Sequence, residues 1–360
     1  MEKKKIIVLS VLTAAALMIG GVLIYHFNNK DNSVIEYASV EAVIKDADSV
    51  IGTEYENIKL PKELNIDISG DIYLISADYS KNCEKKEKLT ELAQLMIPGQ
   101  KIEISEDGSD CIVGKSENAS IWYYDDSTFA YAREELTIPT NQLKDGKKYI
   151  IGKDSLDEKY VLNGENYSIK EAVDYAEGFA KDKLMPFLVN DSGLKAESAC
   201  AFKVDEQNYW IYVQLTHYIE GCPVSTSGSV INDGPYMRPQ QLVITIDGRD
   251  QICHIENNYY ANIIKKEKID KIVTLASALK HLEKELAPGS NYSISNISLC
   301  YCARINDIGS KEFEYRPMWC FTVSDFASDN IDINPRKTIY VDAQNGEVSC
   351  FSDFEKAFVF

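Results

Sequence analysis

The nine cysteines are the residues through which this sequence could do the most chemistry. Cys300 and Cys302 occupy positions i and i+2 of one predicted strand, so their side chains share a face of it. The neighbouring predicted strands carry Cys320 and Cys350. Such a cluster could form disulfides or bind a soft metal ion, and the odd total leaves at least one thiol unpaired. The full set is Cys83, Cys111, Cys200, Cys222, Cys253, Cys300, Cys302, Cys320 and Cys350.

The same residues also fit a plain structural role, because cysteine often behaves as a small buried hydrophobe. The two similar parts of the chain described below do not share their cysteines, since Cys253 aligns with Ser349 rather than with Cys350. We therefore expect buried or incidentally paired thiols rather than a redox site, with no metal ligands and no cofactor.

No recognisable catalytic arrangement accompanies the cysteines. His217 and His254 fall on predicted strands and could face each other, but histidines on sheets are more often structural than catalytic. The sequence contains no His-Glu-x-x-His zinc motif, no Gly-x-Ser-x-Gly elbow and no phosphate-binding glycine loop. Acidic runs at 106–110 and 325–332 do not have the spacing of a calcium-binding loop. We expect no catalytic residues and a protein that is not an enzyme.

Residues 221–239 form a stretch rich in glycine, serine and proline between two predicted strands. Such an excursion is either a solvated hairpin loop or a binding loop. The candidate residues for binding a partner are Gly221, Cys222, Pro223, Val224, Tyr236 and Arg238.

The charge balance excludes one class of partner, and the N-terminal run predicts a location. With 56 acidic and 38 basic residues the net charge is −18, which repels nucleic acids.

Residues 6–27 contain no charged side chain, follow three lysines and would span roughly 33 Å as a helix. We expect an uncleaved transmembrane anchor, rather than a cleaved signal peptide, with a cytoplasmic N-terminus. The predicted localisation is a single-pass cell-membrane protein with an extracytoplasmic ectodomain.

Two stretches of the chain show the same succession of elements. Ser168 and Glu171 have the spacing of a capping box at the start of an amphipathic helix, and a second helix follows Thr274. Each helix precedes three strand-like runs, the last of which contains a turn. We read this as a tandem duplication, so the predicted fold class is α+β, with repeated modules of one helix packed on an antiparallel sheet. The matched residues are Trp210 with Trp319 and Asp247 with Asp342.

These patterns divide the chain into five predicted parts. Residues 1–27 are the cytoplasmic stub and anchor, and residues 28–56 are a polar stalk. Residues 57–150 form an N-terminal α+β module with one helix and several strands. Residues 151–262 and 263–360 are the two copies of the repeated module.

The ends of the two copies, ITIDGRDQI at 244–252 and IYVDAQNGEV at 339–348, resemble the strand-turn-strand signature of PepSY domains. The stretch YVQLTHYIEGCPV at 212–224 is similar to the segment that precedes it in PepSY-like extracytoplasmic proteins. With an N-terminal anchor, the chain resembles the YycH and YycI type of accessory regulators. That resemblance implies a cystatin-like α+β fold and a two-component sensor kinase as partner.

The expected function is that of a membrane-anchored, extracytoplasmic, non-catalytic binding or regulatory protein that acts on a membrane protein. One alternative is an anchored cell-envelope hydrolase, and another is an extracytoplasmic receptor for a small ligand. The sequence leaves the partner, the disulfide connectivity and the oligomeric state open.

Overall fold

The computed structural model of the protein describes residues 35–62, 64, 66, 68, 70–79, 84–108, 110–133, 146–188, 193–225, 240–258, 261–285, 292–304, 312–324 and 338–350. Within them the chain has four α-helices and 21 β-strands. Residues from Tyr37 onward cluster into one unit, which is the part considered below.

Capping and apolar spacing determine where the helices form. The Ser168 hydroxyl accepts a hydrogen bond from the Glu171 backbone N–H at 3.1 Å, and the Glu171 carboxylate accepts one from the Ser168 backbone N–H at 2.9 Å. This is the predicted capping box, and it fixes the start of the helix. The α-helices are α1 (Val40–Asp46), α2 (Lys85–Met96), α3 (Ile169–Phe179) and α4 (Leu275–Glu285).

Strands make up most of the regular structure. They are β1 (Tyr37–Ser39), β2 (Ile58–Lys59), β3 (Tyr73–Tyr79), β4 (Glu103–Asp107), β5 (Cys111–Lys115), β6 (Ala119–Tyr124), β7 (Phe129–Arg133), β8 (Lys147–Ile150), β9 (Lys159–Leu162), β10 (Glu165–Ser168), β11 (Gly193–Lys203), β12 (Tyr209–Ile219), β13 (Cys222–Pro223), β14 (Gln241–Gly248), β15 (Gln251–Asn257), β16 (Ala261–Lys268), β17 (Lys271–Val273), β18 (Tyr292–Arg304), β19 (Glu312–Ser324), β20 (Thr338–Asp342) and β21 (Val348–Cys350).

Two large sheets organise these strands. The ten-stranded sheet has the order β4-β5-β6-β7-β15-β14-β12-β11-β8, with β13 paired to β12. The seven-stranded sheet has the order β16-β3-β19-β18-β2, and β20 pairs with β19 and β21. The long strand β19 pairs with β3 through its first residues and with β20 through its later ones. Two further pairs, β1 with β17 and β9 with β10, complete the sheets among the described residues.

The core of the ten-stranded sheet lies on one of its faces, under α2 and α3. Leu89 and Leu92 of α2 and Ile169 of α3 are fully buried in the same apolar cluster as Val213 and Ile244 of the sheet. Burial of such side chains contributes roughly 1.5–3 kcal/mol each.

A short segment after β13 ties the two sheets together. The Val224 backbone N–H donates to the His217 carbonyl oxygen of β12 at 2.8 Å. The next residue, Ser225, donates its backbone N–H to the Tyr301 carbonyl oxygen of β18, also at 2.8 Å. Val224 and Tyr301 form a parallel bridge. The segment therefore runs beside β18 and brings the Ser225 side chain to the seven-stranded sheet.

The predicted fold class, α+β with repeated helix-on-sheet modules, is wrong, because the protein is mostly β-sheet. The sheets also combine strands from distant parts of the chain. Strand β7 pairs with β15, so that Tyr131 lies opposite Ile255, and β3 lies between β16 and β19. Such long-range pairing is not encoded in the local pattern on which the modules were based. The domain boundaries themselves remain predictions.

The matched tryptophans illustrate why the repeat pattern misled. Trp210 packs on Phe202 and Cys253, whereas its neighbour Ile211 belongs to the helix-covered core on the other face. Trp319 is fully buried, and its indole N–H donates to the Val273 carbonyl oxygen just before α4. The two tryptophans are therefore out of step by one residue. An offset of one residue along a strand turns a side chain to the opposite face of the sheet.

Among the described residues, no helix combines the length and the apolar composition needed to cross a membrane. This finding contradicts the predicted single-pass membrane localisation and signal anchor. The apolar run 6–27, on which that prediction was based, lies outside the described residues.

Candidate metal centre

Three cysteines converge on one face of the seven-stranded sheet. Cys300 and Cys302 alternate along β18 and point to the same side, and Cys320 of β19 joins them. All three Sγ atoms lie within 4.8 Å of one another, and the Cys300 and Cys302 Sγ atoms are 3.8 Å apart. Their exposed fractions are 6%, 8% and 5%, so all three thiols are buried. We call these three residues the thiol centre.

Strand register places the immediate neighbours of the thiol centre. Met318 lies directly opposite Cys300 across the β18–β19 pair, and Tyr340 of β20 lies directly opposite Cys320. Both side chains are buried in the same small cluster as the three thiols. The centre is therefore bordered by a thioether on one side and a phenol on the other.

The three thiols do not ionise equally. The proximity of the Cys302 and Cys320 thiols, and to a smaller extent of the Ser225 hydroxyl, lowers the pKa of Cys300 below the ordinary value of a thiol despite its burial. Burial raises the pKa of Cys302 and Cys320 well above the ordinary value of a thiol. Of the three thiols, Cys300 is therefore the one whose surroundings favour the thiolate.

The segment that ties the two sheets also completes the border of the centre. The Ser225 hydroxyl and the Tyr340 hydroxyl are hydrogen-bonded at 2.9 Å. Burial, followed by the proximity of the cysteines, raises the pKa of Tyr340, so the phenol stays neutral. The Ser225 hydroxyl favours a thiolate on Cys300. Neutral hydroxyl groups are weak ligands for a soft metal ion.

Two carboxylates near the centre are held by other groups. Glu197, whose charge acts on Cys300, accepts a hydrogen bond from the Thr216 hydroxyl at 2.7 Å. The Asp342 side chain, 1% exposed, accepts a hydrogen bond from Arg316 Nη1 at 3.2 Å and one from the Gln344 backbone N–H at 2.7 Å. Arg304 Nη1 lies 3.9 Å from the same carboxylate. The Asp342 carboxylate therefore interacts with Arg316 and Arg304 rather than with the three thiols.

The spacing of the sulfur atoms suits the binding of one metal ion between them. Four sulfurs that bind one tetrahedral ion at about 2.3 Å lie roughly 3.8 Å from each other. The Cys300 and Cys302 Sγ atoms have this separation, at 3.8 Å. The cysteines at the centre are free thiols, as are the other described cysteines whose side chains are placed.

The structure describes four of the six predicted partner-binding residues. Cys222 and Val224 are buried, at 0% and 2% exposure, and the Cys222 Sγ lies 3.9 Å from the Leu299 carbonyl oxygen of β18. Gly221 and Pro223 are partly exposed. Tyr236 and Arg238 lie outside the described residues. Binding of a partner at this loop stays a prediction.

The remaining candidates do not assemble into a site. His217 pairs with Leu194 across β11, His254 pairs with Thr245, and strand β14 separates the two histidine-bearing strands. The acidic run 325–332 and Cys83 lie outside the described residues, as does the side chain of Cys350. The sequence grouped the three cysteines with Cys350 but favoured plain buried thiols. Met318 and Tyr340 become their neighbours through strand register, and Ser225 through the segment after β13.

Two cavities in the described part of the chain bear on the hydrolase alternative. One, of about 120 Å³, has Glu256 as its one acidic lining residue, beside His254. The other, of about 370 Å³, is lined by Arg133 and by amide and apolar side chains, with no carboxylate. Neither presents the pair of carboxylates that a glycosidase needs.

The sequence matches no known protein family and no curated protein. The fold is similar to that of a solved structure described as an uncharacterized protein from Eubacterium rectale ATCC 33656, with a TM-score of 0.51 and 16% sequence identity. The match covers 86% of this chain and 98% of the other. At this identity the likeness shows the fold alone. The comparisons give no link to PepSY domains or to the YycH and YycI type, so that resemblance stays a prediction.

Proposed function

We propose that this protein binds one soft metal ion at the thiol centre of Cys300, Cys302 and Cys320. The observation that carries the proposal is the convergence of three buried sulfur atoms within 4.8 Å of one another. Thiolate sulfur is the preferred ligand of soft ions such as Cu(I) and Zn²⁺. A thiol must lose its proton before it ligates a metal, and the proximity of the other two thiols favours that loss at Cys300.

The competing interpretation is a purely apolar cluster, in which the cysteines fill space beside Met318 and Tyr340. Packing alone has no need for three thiols at this spacing, since alanine or valine side chains fill the same kind of volume. Metal binding uses the sulfur atoms themselves. A substitution that keeps the side-chain volume and removes the sulfur therefore separates the two interpretations.

The proposal departs from the sequence expectation of no metal ligands and no cofactor, and it shares with that expectation only the broad class of a non-catalytic binding protein. The membrane-protein partner and the sensor kinase remain predictions that the metal site neither requires nor supports.

The test is native mass spectrometry of the reduced full chain under anaerobic conditions, after separate additions of Zn²⁺, Cd²⁺ and Cu(I). We expect one tightly held ion per chain with at least one of these metals. The variants Cys302→Ser and Cys320→Ser should lose that ion. Cys253→Ser is the matched control, because Cys253 is also a fully buried sheet thiol but lies in the other sheet.

Two results would overturn the proposal. One is the absence of a bound ion with all three metals. The other is equal retention of the ion by Cys302→Ser, Cys320→Ser and the wild-type protein. Circular dichroism of each variant, recorded before the metal is added, separates loss of the site from loss of the fold.

A further inference from the structure

The number and kind of donors around the thiol centre restrict the ion that it binds. Structural zinc sites almost always have four ligands drawn from cysteine, histidine and carboxylate groups. Among the residues that the structure describes, no histidine, aspartate or glutamate joins the three cysteines in one cluster of potential ligands. The nearby Asp342 carboxylate is engaged by Arg316 and by a backbone N–H. The cluster found among the described residues therefore contains no hard ligand.

The additional donor that register places beside the centre is soft. Met318 lies directly opposite Cys300 and is 7% exposed, in the same buried cluster as the three thiols. Side chains at directly opposed positions of an antiparallel pair have Cβ atoms about 4.5–5.5 Å apart, within reach of a flexible methionine. A thioether is a soft ligand that suits Cu(I) and is not among the usual protein ligands of Zn²⁺.

From these two observations we infer that the thiol centre selects monovalent copper over zinc, held by the sulfurs of Cys300, Cys302 and Cys320 with Met318 as a weak additional ligand. The inference rests on the proposed metal site and names its ion.

Binding at this site involves no redox step. Each cysteine that ligates breaks its S–H bond, forms a Cu–S bond and releases its proton to solvent, while copper stays in the +1 state. Met318 ligates through a lone pair of its thioether sulfur and releases no proton. The Ser225 and Tyr340 hydroxyls, which hydrogen-bond to each other, border the site without becoming ligands.

The experiment is a competition on the reduced full chain under anaerobic conditions. Cu(I) is supplied as its complex with a chromophoric Cu(I) chelator, in the absence and in the presence of excess Zn²⁺. X-ray absorption at the copper edge then reports the ligands. We expect one Cu(I) per chain that excess Zn²⁺ does not displace, with a first shell of sulfur atoms only.

The variant Met318→Leu is the sharper test, because it keeps the side-chain volume and removes only the thioether. We expect it to weaken Cu(I) binding by about tenfold, the scale of supporting groups around a metal, and to leave any Zn²⁺ binding unchanged. This variant keeps the test valid even where a cysteine variant fails to fold.

The outcomes separate this inference from the proposed function. If Zn²⁺ resists displacement by Cu(I), the selectivity is wrong and the metal site stands. If nitrogen or oxygen ligands appear around copper, the assigned set of sulfur ligands is wrong. If Met318→Leu binds Cu(I) as tightly as the wild-type protein, the role of Met318 is wrong. If neither of these ions binds and Cd²⁺ does not bind either, the proposed function fails as well.

Discussion

Acidification is expected to destabilise the fold through His217. This side chain lies on β12 with 0% exposure, and its burial lowers its pKa from 6.5 to about 3. Between these two values the unfolded chain binds a proton that the folded chain does not. The contribution of neutral His217 to stability is therefore fully present above pH 6.5 and is lost as the pH falls toward 3.

The size of the effect follows from the difference between the two pKa values. Within this window the free energy of unfolding falls by about 1.4 kcal/mol for each pH unit. By about pH 4.5 the loss from His217 alone comes to roughly 2.7 kcal/mol. Because whole domains are stable by only about 5–15 kcal/mol, a loss of this size is easily measured.

The assay is urea unfolding, followed by tryptophan fluorescence, of the wild-type protein and of His217→Gln between about pH 7.5 and about pH 4.5. The variant lacks the titrating group, so the stability advantage of the wild type over it should shrink by the amount above as the pH falls. His281→Gln is the control, because His281 lies partly exposed on α4 and should give a smaller change. Parallel stability curves for the wild-type protein and His217→Gln would refute the argument.

Three further changes test the packing of the fold by the same urea assay. Trp319→Phe leaves the Val273 carbonyl oxygen without its indole donor and should cost about 1–3 kcal/mol; an unchanged midpoint would contradict the buried hydrogen bond. Ser168→Ala removes the cap of α3 and should cost about 0.5–2 kcal/mol, and a neutral result would mean that the capping box is not formed. Gly70→Ala places a methyl group onto the backbone carbonyl oxygen of Glu220 and should cost about 1–3 kcal/mol, whereas equal stability would show that the chain can shift there.

Local elements of this fold could be predicted because their signals lie within a few residues of each other. The capping box at Ser168 and the apolar stripe after Thr274 predicted α3 and α4, and the structure has helices at both places. The runs around Trp210 and Trp319 predicted strands, and they lie in β12 and β19. Alternation and capping are local, so one sequence suffices to detect them.

Turn position was less well predicted than the strands on either side. The turn in the last run of the first copy was expected at the Asp-Gly pair 247–248, a common hairpin signal, but both residues belong to the end of β14. The turn lies at residues 249–250, where Asp250 adopts a φ of +55°. Aspartate tolerates the left-handed region better than most residues. The residue that adopts this conformation is therefore Asp250, and not the Asp247-Gly248 pair.

Sheet order could not be predicted, because it depends on pairing between distant residues. Nothing local to Tyr131 indicates that it pairs with Ile255, and nothing local to β3 indicates that β19 is its neighbour. A repeat of local elements was therefore mistaken for a repeat of whole modules.

The same distinction applies to the thiol centre. The i and i+2 spacing of Cys300 and Cys302 shows that they share a face, and Cys320 follows on the adjacent strand. The identity of the facing residues requires the register, because a slip of one residue would replace Met318 by its neighbour on the opposite face. The arrival of Ser225 from the other sheet has no sequence signal at all.

Metal binding and folding are linked at this site by its position. The three sulfurs converge only when β18 and β19 are paired, and the unfolded chain has no preformed site. An ion that binds only the folded chain adds about 2.7 kcal/mol of stability at a hundred times its Kd. The centre lies beside the segment that connects the two sheets, because Ser225 bonds to β18 through its backbone and contacts Tyr340 through its hydroxyl. Since the ion binds only where these elements are assembled, we expect it to raise the free energy of unfolding of the folded chain that contains this connection.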